Sequence, residues 1–255
     1  MEKVRLDILL SEKSTAGQTL TRSKASSLII ECKVAVNGKI CSKPGTLINI
    51  ESDIEIIESA NPYVSRGGIK LKNALNDFSV NVKGCIALDI GASTGGFTDC
   101  LLKEGCELVY CVDVGYGQLD YNLRNNEKVI NYEKTNIKDL GFDKIKEKVN
   151  ICVIDASFIS LKKVLPYAVK FLQDDGLILA LIKPQFETGS KKFLKKGIVK
   201  DEKIYENIIS DIIEFSKTIN LISLGVKKSC IKGKKGNTEF FIHLVKLVKL
   251  LKTAV

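Results

Sequence analysis

The sequence predicts an α/β fold in which helices lie on both faces of a doubly wound sheet, preceded by a small α+β unit. Beyond residue 63, strand-like apolar runs alternate with helical segments, whereas residues 1–59 contain shorter elements and a hairpin turn. A linker at 60–63 contains a proline, which interrupts regular structure. The larger domain is therefore expected to cover 64–255.

The small unit is predicted from local patterns. Residues 5–10 and 24–31 have the spacing of short helices, and hydroxyl side chains able to cap the second helix precede it. Asn37-Gly38 between two apolar runs predicts a tight hairpin, because both residues tolerate positive φ angles. A strand is expected at 54–57. These elements predict a compact unit that is separate from the rest of the chain.

The larger domain shows a regular alternation of elements. Strands are predicted near 86–90, 108–112, 151–154, 177–182, 221–226 and 238–246. Helices are predicted near 68–78, 96–104, 160–172 and 201–217. This order of strands and helices favours a doubly wound sheet, whose ligands bind outside the carboxyl ends of the strands.

A glycine-rich turn follows the first strand of the larger domain. The apolar run ends at Asp89, Gly91 begins the turn, and Gly95-Gly96 precede a segment that can start a helix. Glycine lets a ligand approach the backbone, and a helix N-terminus can hold a carboxylate or a phosphate. Asp113 ends the next strand, where an acid can accept hydrogen bonds from ribose hydroxyls. The pattern predicts a nucleoside-type cofactor; the alternative is an ordinary connection between strand and helix.

The spacing of the glycines bears on the identity of that cofactor. The dinucleotide pattern G-x-G-x-x-G would place glycine at position 93, where this chain has Ser93. S-adenosylmethionine has no pyrophosphate and fits this turn better than NAD. The predicted cofactor contacts are Asp89, Gly91, Ala92, Ser93, Thr94, Gly95, Gly96, Phe97, Asp113, Asp155 and Phe158. For Phe158 the alternative is a place in the core.

The chain is basic, with 39 lysines and arginines against 30 acidic residues and a net charge of +9. The positive electrostatic field of such a chain attracts polyanions, but it does not by itself distinguish RNA from an acidic membrane surface. Between Lys13 and Lys43, six basic residues accompany one acid, which predicts a phosphate-binding face; a solvated surface is the alternative. The predicted RNA contacts are Arg5, Arg22, Lys24, Lys33, Lys39, Lys43 and Arg66.

The eight cysteines include no C-x-x-C pair, and the one histidine, His243, lies within an apolar run. This spacing predicts reduced thiols in a cytoplasmic protein, with neither a metal site nor a disulfide framework. The first residues are charged and lack a long apolar region, so no signal peptide is expected. No apolar stretch is long enough to predict a membrane-spanning helix.

Charged residues follow two of the predicted strands. Asp155 comes directly after the strand at 151–154, and Lys183 comes directly after the strand at 177–182. Because parallel strands end at one edge of the sheet, these two side chains are expected to share the ligand crevice. A structural Asp–Lys ion pair is the alternative to a catalytic pair.

Several motifs in order resemble the TlyA (haemolysin-A) family of RNA ribose 2′-O-methyltransferases, which share the Rossmann-like fold of FtsJ/RrmJ-type enzymes. The matching segments are S-R-G-G-x-K-L, D-I-G-A-S-T-G-G-F-T-D, D-V-G-Y-G-Q-L-D, D-x-S-F-I-S-L, K-P-Q-F-E and G-N-x-E. The first 59 residues resemble an S4 RNA-binding domain through R-L-D, T-R-S-K-A, V-A-V-N-G-K and K-P-G. The resemblance implies a catalytic tetrad at Lys70, Asp155, Lys183 and Glu239.

The resemblance further implies methylation of a cytidine ribose in ribosomal RNA of the large subunit, with the small subunit as a second candidate substrate. We expect a monomer that binds ribosomal subunits. Lys183 would either deprotonate the 2′-hydroxyl or, as a cation, orient it and stabilise developing negative charge. Two rival functions remain open. The basic, apolar segment from Phe240 to Val255 could act on an anionic bilayer as part of a membrane-active haemolysin. The chain could also be a non-catalytic RNA-binding factor for ribosome assembly.

Overall fold

The chain forms two units, Met1–Pro62 and Tyr63–Val255. The computed structural model describes residues 3–12, 20–30, 33–56, 61–189, 194, 197–199, 201–233 and 235–247. Tyr63, which the sequence assigned to the linker, belongs to the larger unit. Its ring lies so close to the backbone of Gly68 that a Cβ atom there would stand 2.2 Å from the Tyr63 Cγ.

The smaller unit packs two short helices against short antiparallel strands. Its elements are β1 (Lys3–Arg5), α1 (Leu6–Glu12), α2 (Arg22–Ile30), β2 (Val34–Val36), β3 (Lys39–Cys41), β4 (Leu47–Asn49) and β5 (Ile54–Ile56). Strands β3, β2 and β5 form one sheet in that order, and β1 pairs with β4. Buried aliphatic side chains such as Leu6, Leu10 and Ile29 fill the space between helices and strands. The predicted hairpin is confirmed, with positive φ at both Asn37 and Gly38.

The larger unit is built on a seven-stranded sheet within the described residues. Its strands are β6 (Ile86–Ile90), β7 (Leu108–Val112), β8 (Val129–Tyr132), β9 (Val149–Ile154), β10 (Leu172–Ile182), β11 (Leu221–Lys228) and β12 (Phe240–Lys246). They lie in the order β11-β12-β10-β9-β6-β7-β8. Strands β6 to β10 are parallel, whereas β12 is antiparallel to both of its neighbours. The start of β12 therefore lies at the edge where the parallel strands end.

Helices cover both faces of this sheet, as the sequence predicts. They are α3 (Arg66–Asp77), α4 (Gly96–Lys103), α5 (Tyr121–Arg124), α6 (Leu165–Phe171), α7 (Pro184–Glu187) and α8 (Glu202–Thr218), with 3-10 turns at Ile137–Asp139 and Leu161–Lys163. Residues of α3 and α4 pack on one face with Ile151 and Val153, and residues of α6 and α8 pack on the other with Cys152 and Ile154. The alternation along β9 explains its unbroken apolar sequence, because both faces of the strand are buried.

Strand β4 and the short helices α5 and α7 were not predicted. Three further features differ from the sequence expectations. Strand β8 was not predicted, and its four residues are all half-buried at the edge of the sheet. Strand β10 begins at Leu172 rather than near 177, with a register shift before Leu177. Arg5 ends a strand, so the first helix begins at Leu6. Among the described residues, no helix is both long and apolar enough to span a membrane.

Candidate active site

Four sheet strands bring three residues of the predicted tetrad and the glycine turn to one edge. Asp155 follows β9, and its backbone N–H donates to the carbonyl of Ile90 at the end of β6, at 3.0 Å. Lys183 follows β10, and Glu239 immediately precedes β12. Because β12 is antiparallel to β10, its first residues lie beside the carboxyl end of β10, at the edge where the parallel strand β9 also ends. The shared crevice that the sequence predicted for Asp155 and Lys183 is thus a single edge of the sheet.

The Lys183 ammonium group is surrounded by oxygen atoms. Its Nζ lies 2.5 Å from Asp155 Oδ1 and donates to Ser157 Oγ at 2.8 Å. The backbone carbonyl of Asp155 is a third, longer acceptor at 3.4 Å. Lys183 is only 8% exposed, so its charge is held by these partners rather than by water. Ser157 was not among the predicted site residues, although it lies in the D-x-S-F-I-S-L motif.

Lys70 and Glu239 form the second ion pair of the tetrad. Lys70 Nζ donates to Glu239 Oε2 at 2.6 Å across 169 residues of sequence. Lys70 lies in the second turn of α3, whose N-terminus is capped by the Ser65 hydroxyl. The Glu239 side chain is 3% exposed, and the backbone of Gly233 approaches it so closely that a Cβ would stand 2.3 Å from Oε1. This pair is therefore largely removed from solvent.

Alignment of β10 and β12 connects the two ion pairs. Ile182 is the register partner of Phe240, so the next position outward on the two strands is occupied by Lys183 and Glu239. Directly opposite residues of an antiparallel pair project to the same face of the sheet. Asp155, Lys183, Glu239 and Lys70 therefore alternate in charge along this edge. The strand register places the first three, and the start of α3 places Lys70.

The glycine turn between β6 and α4 is tightly folded. Gly91 has a φ of +86°, and a Cβ there would stand 2.8 Å from the Asp155 carbonyl oxygen. Gly95 also has positive φ, and a side chain on Gly96 would collide with the Ser65 hydroxyl. Asp113 accepts hydrogen bonds from the backbone N–H groups of Ser93 at 2.8 Å and Gly115 at 2.7 Å. Its carboxylate thus fixes the turn against the end of β7.

Asp89 is fully buried beneath this turn. Its Oδ2 accepts a hydrogen bond from the Thr98 hydroxyl at 2.7 Å, while its Oδ1 is buried with no hydrogen-bond partner among the described residues. Burial raises the pKa of Asp89 to about 7; the Thr98 hydrogen bonds oppose this rise, and the nearby Asp155 charge adds to it. A buried hydrogen-bond acceptor that lies below a glycine turn is suited to a site that binds a polar group of a ligand.

The remaining predicted cofactor residues differ in their surroundings. Ala92 and Phe97 are buried, with the Phe97 ring 6.0 Å from that of Phe241, whereas Ser93 and Thr94 are exposed. Phe158 is 90% exposed, so the core alternative for this residue is wrong. Its backbone adopts a φ of +64°, and its ring lies 4.9 Å from that of Phe186.

In the smaller unit, two of the predicted RNA contacts hold a buried carboxylate. Asp7 accepts hydrogen bonds from Arg5 Nε at 2.9 Å and from Arg22 Nε at 3.0 Å. Both guanidinium groups hold the pKa of Asp7 well below its usual range. Lys24, Lys39 and Lys43 are exposed, Lys33 is half-buried, and Arg66 begins α3 of the larger unit. Lys13 lies outside the described residues.

The cysteines and acidic residues offer no alternative centre in the part of the chain that the structure describes. All seven cysteines there are free, and four of them (Cys100, Cys106, Cys111 and Cys152) are buried. No group of three or more histidine, cysteine or acidic side chains is arranged there to hold a metal ion. Of the segment proposed to act on membranes, Phe240–Lys246 is strand β12, and residues 248–255 lie outside the described part.

Comparison with known proteins agrees with this geometry. A model of the FtsJ-like methyltransferase family matches residues 63–246. The candidate rRNA methyltransferase YqxC of Bacillus subtilis is 43% identical over 246 residues, which cover 95% of this chain and 86% of that protein. The 16S/23S rRNA (cytidine-2′-O)-methyltransferase TlyA of Mycobacterium tuberculosis is 38% identical, with 89% of this chain and 85% of that protein covered.

A solved structure is also similar to this chain. It is that of a candidate hemolysin from Streptococcus thermophilus, which has 37% sequence identity and a TM-score of 0.75 and covers 96% of this chain and 88% of its own. The similarity extends through both units of the chain. The family match and these relatives show that the protein belongs to the FtsJ-like methyltransferase family, within the group that contains TlyA.

Proposed function

We propose that the protein transfers a methyl group from S-adenosylmethionine to the 2′-hydroxyl of a cytidine ribose in ribosomal RNA. The observation that carries this proposal is the pair of desolvated lysine–carboxylate contacts, Lys183–Asp155 and Lys70–Glu239, at the sheet edge beside the glycine turn. The nucleotide and the ribosomal substrate are those named for the TlyA relative.

The glycine turn fits the proposed cofactor. The backbone of Gly91, Ser93, Gly95 and Gly96 would hold the methionine end, with the free oxygen of Asp89 below it. Asp113, already oriented by two backbone N–H groups, would accept hydrogen bonds from the ribose. When bound, S-adenosylmethionine supplies a methyl group made electrophilic by a positively charged sulfur. Ala92, Thr94, Phe97, Asp155 and Phe158 likewise stay predictions as cofactor contacts.

Lys183 acts on the ribose 2′-oxygen in this proposal. The Asp155 carboxylate forms an ion pair with its Nζ and the Ser157 hydroxyl accepts a hydrogen bond from it, and together they hold the amine at a fixed place on the edge of the sheet. The three surrounding oxygens suit an ammonium group that orients the hydroxyl and stabilises negative charge on its oxygen. The hydroxyl proton would pass to water as the oxygen takes the methyl group and the bond from that methyl to the donor sulfur breaks. Lys70 adds a second positive charge at the same edge, and Glu239 positions it.

The basic face of the smaller unit would bind RNA through phosphates. Its exposed lysines can neutralise the backbone without reading bases, as expected for a unit that positions an enzyme on structured RNA. A ribosomal substrate implies a cytoplasmic protein, and we expect a monomer.

Tritiated S-adenosylmethionine, purified protein and unmodified ribosomal subunits provide the test. We expect label in ribosomal RNA, mapped as a 2′-O-methylcytidine, and none with Lys183→Ala. Binding of subunits without any transfer would instead support an assembly factor. Leakage of anionic liposomes that is independent of the cofactor, again without transfer, would support the membrane-active alternative.

A further inference from the structure

Glu187, the last residue of α7, uses both carboxylate oxygens to hold another segment of the chain. Its Oε2 accepts a hydrogen bond from the Ser160 hydroxyl at 2.5 Å, and its Oε1 accepts one from the Leu161 backbone N–H at 2.8 Å. Burial raises the pKa of Glu187, an effect that the two donors oppose. A half-buried carboxylate with both oxygens satisfied by one short segment is suited to fixing that segment.

The segment that Glu187 holds is the end of the loop that carries two partners of Lys183. This loop runs from Asp155 to Ser160, after which the 3-10 turn Leu161–Lys163 begins. At its start, the Asp155 N–H donates to Ile90 at 3.0 Å. At its end, Ser160 caps the turn by accepting from the Lys162 N–H at 3.2 Å while it donates to Glu187. The loop is thus fixed at both ends.

The same loop is joined to the Lys183 segment twice. Lys183 contacts Asp155 and Ser157 near the start of the loop, and Glu187, four residues after Lys183, contacts its end. Between these contacts, the Phe158 and Phe186 rings are 4.9 Å apart. The strained φ of +64° at Phe158 persists only where surrounding contacts hold it. The hydrogen bonds of Glu187 therefore help to hold the 155–160 loop in a conformation that it would otherwise leave.

We propose that Glu187 is a positioning residue that holds the 155–160 loop so that Asp155 Oδ1 and Ser157 Oγ stay on the Lys183 amine. It acts through Ser160 and Leu161 and does not contact the reacting atoms. The inference rests on the proposed function, in which Lys183 addresses the 2′-hydroxyl. A displacement of about 1 Å in such a group can lower turnover by as much as 100-fold.

The test compares Glu187→Ala with Glu187→Gln. The glutamine can still accept from the Leu161 N–H and can donate its amide to the Ser160 oxygen, so it should restore most of the activity. For Glu187→Ala we expect kcat to fall about 10- to 100-fold and the pH profile of kcat to shift, with the Kd for S-adenosylmethionine unchanged within twofold. Ser160→Ala, which removes one bond from the other side, should give a smaller loss in the same direction. Glu104→Ala is the matched control, because Glu104 is a half-buried carboxylate that pairs with Lys72.

Hydrogen exchange of peptides covering 155–161 supplies a readout independent of activity. Exchange should be faster in Glu187→Ala and unchanged in Glu104→Ala. Unchanged exchange, or full kcat with an unshifted pH profile in Glu187→Ala, would overturn the inference while leaving the proposed function intact. If Lys183→Ala is as active as the unmodified protein, the proposed function itself fails. If Glu187→Ala does not fold, Ser160→Ala decides by the same two measurements.

Discussion

Lys70 and Lys72, two residues apart on α3, form ion pairs of the same length in different surroundings. Each Nζ lies 2.6 Å from a glutamate oxygen, Lys70 from Glu239 and Lys72 from Glu104. The side chains of the first pair are 11% and 3% exposed, and those of the second are 36% and 28% exposed. One helix therefore carries a buried pair at the sheet edge with Lys183 and a second pair that is only partly buried.

This contrast in burial predicts that replacing the two lysines by alanine lowers the free energy of unfolding by different amounts. Lys70→Ala leaves Glu239 buried without its partner and should lower the free energy of unfolding by about 3–5 kcal/mol, whereas Lys72→Ala should cost about 0–1 kcal/mol. Methyl transfer should be lost with Lys70→Ala and kept with Lys72→Ala. Urea unfolding and transfer of tritiated methyl groups measure the two effects. The double variant Lys70→Met with Glu239→Gln removes both charges; it should regain stability but not activity, and recovery of activity would contradict a catalytic role.

Lys183→Ala should abolish methyl transfer while cofactor binding survives. The cofactor cradle is formed by the β6–α4 turn and Asp113, which do not depend on the lysine side chain. Calorimetric titration with S-adenosylmethionine and a transfer assay measure both properties. Lys162→Ala is a suitable control, because Lys162 forms an exposed ion pair with Asp211. Normal turnover by Lys183→Ala would refute the assignment.

The parts of the fold that local sequence determines were predictable. Strands β6 and β7 have the predicted bounds because each is a mostly apolar run, interrupted in β6 by Asp89 alone, that ends next to a glycine or an acid. Strand β8 was missed because Asn131 interrupts a short segment that is only half-buried at the sheet edge. The antiparallel direction of β12 depends on its neighbours and not on its own residues.

The candidate site, like the fold, was only partly predictable from the sequence. The resemblance to a known family located the four charged positions, but the pairing of Lys70 with Glu239 joins residues 169 apart and required the folded chain. Ser157 and Glu187 lie within the D-x-S-F-I-S-L and K-P-Q-F-E segments, but their residue types alone do not predict their partners, because a serine or a glutamate in a loop is most often solvated. Arg5 and Arg22 were predicted as RNA contacts from basic charge and from the segments that resemble an S4 domain, although each also holds Asp7.

Asp89 should make stability depend on pH in a way that Asp89→Asn does not. Its pKa is raised from 3.8 to about 7, so between these values the folded state keeps a proton that the unfolded state has released. This contribution to stability is complete below pH 4 and is lost as pH rises through 7, amounting to about 4 kcal/mol at 1.36 kcal/mol per pH unit. Thermal unfolding at pH 5, 6, 7 and 8 should show the stability of the unmodified protein falling relative to that of Asp89→Asn as pH rises to about 7. Parallel curves would contradict a protonated, buried Asp89.

Lys39 and Lys43 allow the RNA-binding face to be tested without disturbing its fold. Both are exposed, whereas replacing Arg5 or Arg22 would leave Asp7 buried with fewer partners. If each lysine neutralises one phosphate, Lys39→Ala with Lys43→Ala should reduce the slope of log K against log salt by about 1–2, at roughly 0.7–0.9 per phosphate. We expect the KM for ribosomal RNA to rise while kcat at saturating RNA stays unchanged, since the sheet edge is intact. Lys203→Ala with Lys217→Ala on α8 removes the same charge from another surface and should leave the slope unaltered. An equal change in both double variants would mean that net charge, rather than this face of the smaller unit, governs RNA binding.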